Sequence, residues 1–278
     1  MTMGSIRGRY FPLSLPRRWI SDLLYFARQI PTVPVERVMD LGEVQKVRTR
    51  VGVSLPALFL RAFGLASLRH PELRRAFLRY PWTRCYEHPC SVASVALERQ
   101  FKGEPAVFFG QILGPENHGL RNIDKHLRIY KNDPIETIGN FRRIITVARF
   151  PTLIRRFGWW LSLHWFGEKR AKRLGTFGLS VYSSLGASST HPLSPLSFLM
   201  NYGVMDERGQ ITVRLVYDHR IVDGAVVARA LATMEALLTG PILDELEGFE
   251  DVQPGSNDHA KDDHDSRIAG RSESLVSG

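Results

Sequence analysis

Cysteine is scarce in this chain. Cys85 and Cys90 are the only two among 278 residues, with four residues between them. That spacing is not a zinc knuckle, and no second pair exists to complete a metal site or a disulfide framework. Both are expected as free thiols in a reducing compartment, with no metal bound. Long apolar runs are also missing. No stretch approaches the ~20 apolar residues of a membrane span, and Met1–Tyr10 lacks the apolar core of a secretory signal. The expectation is a cytoplasmic protein. Neither a P-loop nor a dinucleotide glycine fingerprint appears, so no nucleotide cofactor is expected. The absence of helix-turn-helix, zinc-finger and ribonucleoprotein signatures argues against a nucleic-acid partner. There are no internal repeats.

What is present is ordinary for a globular domain, with 44% hydrophobic and 23% charged residues. The length suffices to bury a sizeable core. The net charge of +9 is uneven. From Asp244 onward ten acidic and three basic residues give −7, so the remainder carries +16. Such a surface suits an anionic partner, whether coenzyme A phosphates or acidic lipid. The end of the chain loses periodicity, and residues 246–278 are expected to form a disordered polar tail after a single domain, 1–245.

The chemistry concentrates in Gln210–Ala225. Ile211, Val213 and Leu215 alternate with Thr212 and Arg214, the period of a strand. The pattern stops at Tyr217, and Asp218, His219, Arg220, Asp223 and Gly224 follow in seven residues. From Ala225 an Ala- and Leu-rich helix runs to Gly240–Pro241. A histidine at a strand mouth, backed by an Asp-Gly turn and a helix, is a rigidly mounted proton acceptor. Imidazole titrates near neutrality, which suits a general base.

Asp218–Gly224 resembles the DHRxxDG signature of the dihydrolipoyl acyltransferase catalytic domains of 2-oxoacid dehydrogenase complexes. It is also similar to the HxxxDG motif of the chloramphenicol-acetyltransferase-like superfamily. More weakly, the resemblance covers about residues 12–245. It implies an α/β fold, a mixed sheet flanked by helices, and transfer of an acyl group from a coenzyme A or carrier-protein thioester to a hydroxyl, thiol or amine. In the resembled families the histidine is the base, which is His219 here. A serine or threonine on a preceding strand donates to the oxyanion. Ser180–Gly186 resembles the corresponding segment and places that donor at Ser183, with Ser180, Ser184 and Ser188 as competitors. Asp223 is implied as a structural anchor held by an arginine. Ungapped placement puts Arg18 there, a solvated charge at a helix start being the alternative. Gly224 would permit a tight turn and the close approach of the following helix, and Asp218 and Arg220 would fix the loop by ion pairing. Trimeric relatives build the site between subunits, so a homotrimer is implied. No lipoyl domain is expected ahead of the catalytic portion. Two further readings therefore stand beside an independent enzyme: a core subunit acting on a lipoyl domain in trans, and a non-catalytic trimeric scaffold.

The remaining elements follow in order. A helix is expected within 12–29, a strand over 32–41, a short helix from Gly42, and a longer one capped by Ser54 and closed by His70-Pro71-Glu72-Leu73. Paired strands are expected at 91–97 and 105–112, a basic helix at 120–131, and strands at 176–183 and 196–205. The 120–131 helix is either a phosphate-facing surface or a solvated face.

Residues 133–173 depart from the resembled families, being longer and richer in Trp and Arg. Within them Phe157–Phe166 holds three tryptophans and two phenylalanines. Arg155 and Arg156 precede that run, and Lys169, Arg170, Lys172 and Arg173 follow it. This is either a helix packing its aromatics inward or a lipophilic surface for membrane or acyl-chain contact.

Overall fold

The computed structural model describes residues 8–249. Its centre is a six-stranded mixed sheet in the order β1-β8-β7-β6-β4-β5. The strands are β1 (Thr32–Asp40), β4 (Val92–Phe101), β5 (Glu104–Leu113), β6 (Phe177–Leu179), β7 (Phe198–Tyr202) and β8 (Gln210–Asp218). β8 runs antiparallel to β1 and β7, whereas β6 runs parallel to both β7 and β4. The alternation in β8 has the expected consequence. Ile211, Val213, Leu215 and Tyr217 are buried in the main core, and Thr212 and Arg214 face away from it.

Two cores sandwich the sheet. The main one packs α2 (Gly42–Val51), α3 (Leu55–Arg69), α4 (Leu120–Asn132), α8 (Gly224–Thr239) and α9 (Pro241–Glu247) on one face. By length and composition Gly224–Glu247 could cross a membrane. Here, however, Val227, Leu231, Met234 and Leu238 are fully buried in the main core, and the helix packs on α3. The second core joins α1 (Leu15–Ala27), α5 (Gly139–Ala148) and α6 (Thr152–His164) to β5 through Trp19, Phe26, Phe108, Phe141 and Trp159. α7 (Gly167–Leu174) closes this layer.

Several boundaries differ from expectation. Ser54 stands at the start of α3, but its hydroxyl makes no capping bond; its N–H donates to Asp124 Oδ1 at 3.1 Å instead. The strand expected over 176–183 ends at Leu179. Ser180 still donates its N–H to Met200 O, and the chain then leaves the sheet in a 3-10 turn, Ser183–Leu185. A hairpin of β2 (Arg75–Leu78) and β3 (Arg84–Glu87) was not expected. Both cysteines are free. Leu246, expected to open the tail, is instead fully buried at the end of α9. The rest of that expectation lies outside the described residues.

Residues 133–173 form α5, α6 and α7 and are anchored to α1 by a buried ion pair. Asp22 is fully buried and receives Arg155 Nε at 2.6 Å and Arg156 Nε at 3.4 Å. Of the two readings of Phe157–Phe166, inward packing holds for Trp159. Trp159 stacks on Phe26 and lies tilted against Trp19, whereas Phe157, Trp165 and Phe166 remain exposed.

Candidate active site

β8 delivers the DHRxxDG loop to one end of the sheet. Asp218, its last residue, is fully buried and donates its N–H to Ser197 O at 2.9 Å. His219 follows, its N–H bonded to Pro31 O at 3.1 Å. α8 begins at Gly224. The loop is thus clamped at both ends, and the imidazole is held at the surface.

His219 Nδ1 lies 3.6 Å from Asp223 Oδ1, beyond a hydrogen bond but within an ion pair once the ring is protonated. The side chains are 48% and 86% exposed, so water or a substrate can reach them. Nε2 of His219 makes no hydrogen bond to the described residues. One ring nitrogen therefore faces a carboxylate, and the other is open to accept a proton.

The Asp218–Arg220 pair is present as expected. Arg220 Nε donates to Oδ1 at 2.8 Å and Nη2 to Oδ2 at 2.6 Å. The guanidinium also lies 4.1 Å above the Phe77 ring. Gly224 admits the close approach of α8 that was expected of it, although its backbone is not left-handed. A Cβ there would meet Tyr217 Oη at 3.3 Å, so the glycine lets α8 approach the strand. Burial, and then the charge of Asp223, hold that phenol above its ordinary pKa.

Arg18 does not pair with Asp223. Its Nε donates to Leu13 O at 3.0 Å, closing the turn before α1. Among the described residues, the ion-pair partner of Asp223 is His219.

Ser183 is half-buried and its hydroxyl makes no hydrogen bond to the described residues. Its competitor Ser180 is buried, with its hydroxyl donated to Tyr182 Oη at 3.3 Å. Ser184 and Ser188 are exposed. The register decides where these serines lie. Phe177, Phe198 and Tyr217 form one row across β6, β7 and β8, and Leu179, Met200 and Leu215 form the row two residues on. His219 lies past the first row and Ser183 past the second. They occupy opposite ends of the sheet, and one chain does not bring them together.

The sequence did not single out Arg170 for this site. It is fully buried on α7, donating to Phe77 O and Pro195 O at 3.0 Å and to Ser197 Oγ at 3.5 Å. Burial lowers its pKa to about 10, the Asp218 carboxylate opposing the fall, so it stays charged under the loop. A signal was available, since Gly167, Arg170, Ala171 and Leu174 share one helical face and all are buried. Gly167 is required because a Cβ would strike the Tyr86 ring at 2.4 Å. Arg79, Arg220 and His164 line a small cavity with Arg170. Burial first, then these arginines, lowers the His164 pKa to about 4.

No family model and no curated protein matches the sequence. Solved structures do match. The dihydrolipoamide acetyltransferase of Azotobacter vinelandii is similar at 14% identity, with a TM-score of 0.63 over 84% of this chain and 93% of that one. A truncated catalytic core of the 2-oxoacid dehydrogenase multienzyme complex from Thermoplasma acidophilum gives 14%, 0.61, 84% and 99%. A probable dihydrolipoamide acetyltransferase from Listeria monocytogenes gives 17%, 0.58, 91% and 98%. The chain therefore has an acyltransferase fold. It is the fold of the dihydrolipoamide acetyltransferase catalytic cores, as the DHRxxDG resemblance implied.

Proposed function

We propose that this chain is an acyltransferase that moves an acyl group from a coenzyme A or carrier-protein thioester to a hydroxyl, thiol or amine. The observation that carries the proposal is the presentation of His219, with Nδ1 facing Asp223 at 3.6 Å and Nε2 open. In the reaction Nε2 takes the proton of the acceptor as its heteroatom attacks the thioester carbonyl. The imidazolium that forms is steadied by Asp223. The carbonyl electrons move onto oxygen, where a serine hydroxyl donates to them. Collapse expels the thiolate, which recovers the proton from the imidazolium. In the Azotobacter vinelandii enzyme a serine, a histidine and an asparagine have been investigated for their role in the catalytic mechanism. Ser183, His219 and Asp223 offer hydroxyl, imidazole and carboxylate for the same chemistry.

Because Ser183 and His219 occupy opposite ends of the sheet, the proposed site takes Ser183 from a second copy, as a homotrimer would provide. The cations of Arg79, Arg170 and Arg220 beside the loop support an anionic donor such as coenzyme A.

The test is mass spectrometry of acyl-CoA co-purifying with the protein, followed by CoA release with candidate acceptors. His219→Ala should lower the rate by the 10²–10⁴-fold typical of a general base. A variant that keeps more than about a tenth of the wild-type rate removes His219 from the mechanism.

A further inference from the structure

The outer face of α6 inverts the usual pattern of a surface helix. Leu153, Ile154 and Phe157 are 85%, 58% and 63% exposed, and they follow Phe150 at helical spacing. Phe157 stacks on Trp160 at 6.2 Å, which continues the stripe to Trp165. The buried side of the helix, with Arg155, Trp159 and Leu163, is fully occupied by contacts with α1 and the second core. The exposed stripe is therefore not core left uncovered by a poor fit. It is a second apolar face, and such patches mark interaction surfaces.

Beside it opens a cleft of about 500 Å³, with Phe150 and Ile154 on one wall and Trp19 and Trp159 lining it further in. Arg143, Lys169, Lys172 and Arg173 also line it, and no Asp or Glu does. Lys172 has a loose exposed partner in Glu168. Arg143 and Arg173 have no carboxylate among the described residues: Arg143 donates to Lys172 O at 3.4 Å and Arg173 to Ser162 Oγ at 2.5 Å. Burial, then the neighbouring charge of Arg173, holds Arg143 below its ordinary pKa. Two guanidiniums placed together without an anion are a receptor for one.

We propose that this face docks on an anionic lipid surface, with Leu153, Ile154 and Phe157 in the interface and lipid phosphates received by Arg143, Arg173 and Lys169. A free anionic amphiphile would fill the cleft but would leave Leu153 and Phe157 in water. A bilayer covers both, since indoles and other aromatics suit the headgroup level while cations meet acidic lipid. A second copy fits the charge less well. The cleft beside this face is lined by Arg143, Lys169, Lys172 and Arg173 and by no carboxylate, so a self-complementary contact here would set cation against cation. The C-terminal end of α6 reaches the cavity shared with Arg220, which places the docking face and the His219 loop at two ends of one helix.

The experiment is co-sedimentation of the full chain with vesicles of phosphatidylcholine alone or with about a quarter phosphatidylglycerol, at low and high salt. The wild type should pellet with the anionic vesicles and be largely released by salt, while sedimenting little with phosphatidylcholine alone. The double variant Leu153→Glu, Phe157→Glu should bind at least about tenfold more weakly, and Lys169→Glu, in the cleft lining, should show an intermediate loss. Both sites are exposed, so far-UV circular dichroism and the thermal midpoint should be unchanged. Failure of the wild type to bind anionic vesicles at low salt overturns the proposal. So does equal binding by the folded double variant. Dissociation of an oligomer by the double variant, seen by size exclusion without lipid, also overturns it by assigning the face to a second copy.

Discussion

Arg220 grips Asp218 with two parallel hydrogen bonds, at 2.8 and 2.6 Å, and the carboxylate it grips is entirely buried. The pair spans His219, so the backbone carrying the proposed base cannot move without breaking it. Arg170 supports the same carboxylate from below through the charge it brings near Asp218.

Removal of one member of a buried pair strands the other. Arg220→Ala is expected to destabilise the fold by about 3 kcal/mol, with activity lost alongside. Urea denaturation measures the first quantity. A loss under about 0.5 kcal/mol would show that the pair behaves as an exposed salt bridge and does not lock the loop.

A second prediction concerns acid. His88 is 3% exposed, its Nε2 has no hydrogen-bond partner among the described residues, and burial, with the charge of Arg170, holds its pKa at about 4. The unfolded chain takes up that proton near pH 6.5, whereas the folded chain refuses it until about pH 4. Stability from this group is therefore complete above pH 6.5 and is lost as the pH falls from there towards 4, by on the order of 3 kcal/mol. Comparison of urea midpoints at pH 7 and pH 4.5 should show a smaller drop for His88→Gln than for the wild type. Parallel drops would exclude His88 as a source of acid sensitivity.

A third prediction separates the serines. Ser183→Ala should lower kcat far more than it raises KM, because the hydroxyl serves the oxyanion and not the ground state. The loss should be about 2.7–4 kcal/mol in the barrier. Ser180→Ala should alter stability more than rate, its hydroxyl being already bonded to Tyr182. The reverse pattern in steady-state kinetics would transfer the role to Ser180.

Much of this site was legible because it is local. Ile211–Leu215 shows its alternation, and the strand, loop and helix that mount His219 lie within one continuous stretch. What depended on distant neighbours was not legible. Arg18 could be placed along a helix by analogy, but nothing in the sequence says that its side chain turns back to Leu13 O. Arg170 reads as one of several cations after a Trp-rich run, and only contacts with Phe77, Pro195 and Ser197 make it a buried support. The β2–β3 hairpin hides because each strand is only four residues long, too short to show a period. β6 is shorter than its apolar pattern because Ser180 is the last residue that β7 can satisfy. The dual character of α6 follows from geometry: Trp159 and Trp160 are adjacent in sequence, yet on a helix they point about 100° apart.

The central claim is that His219 of one copy works with Ser183 of another, and subunit mixing tests it most directly. His219→Ala and Ser183→Ala, each inactive alone, are co-refolded or co-expressed in equal amounts, and acyl transfer is assayed. A site shared between copies recovers about a quarter of wild-type activity, because random mixing leaves that share of interfaces with both residues intact. No recovery in verified mixed oligomers would show that both residues must come from the same chain, and would contradict the account.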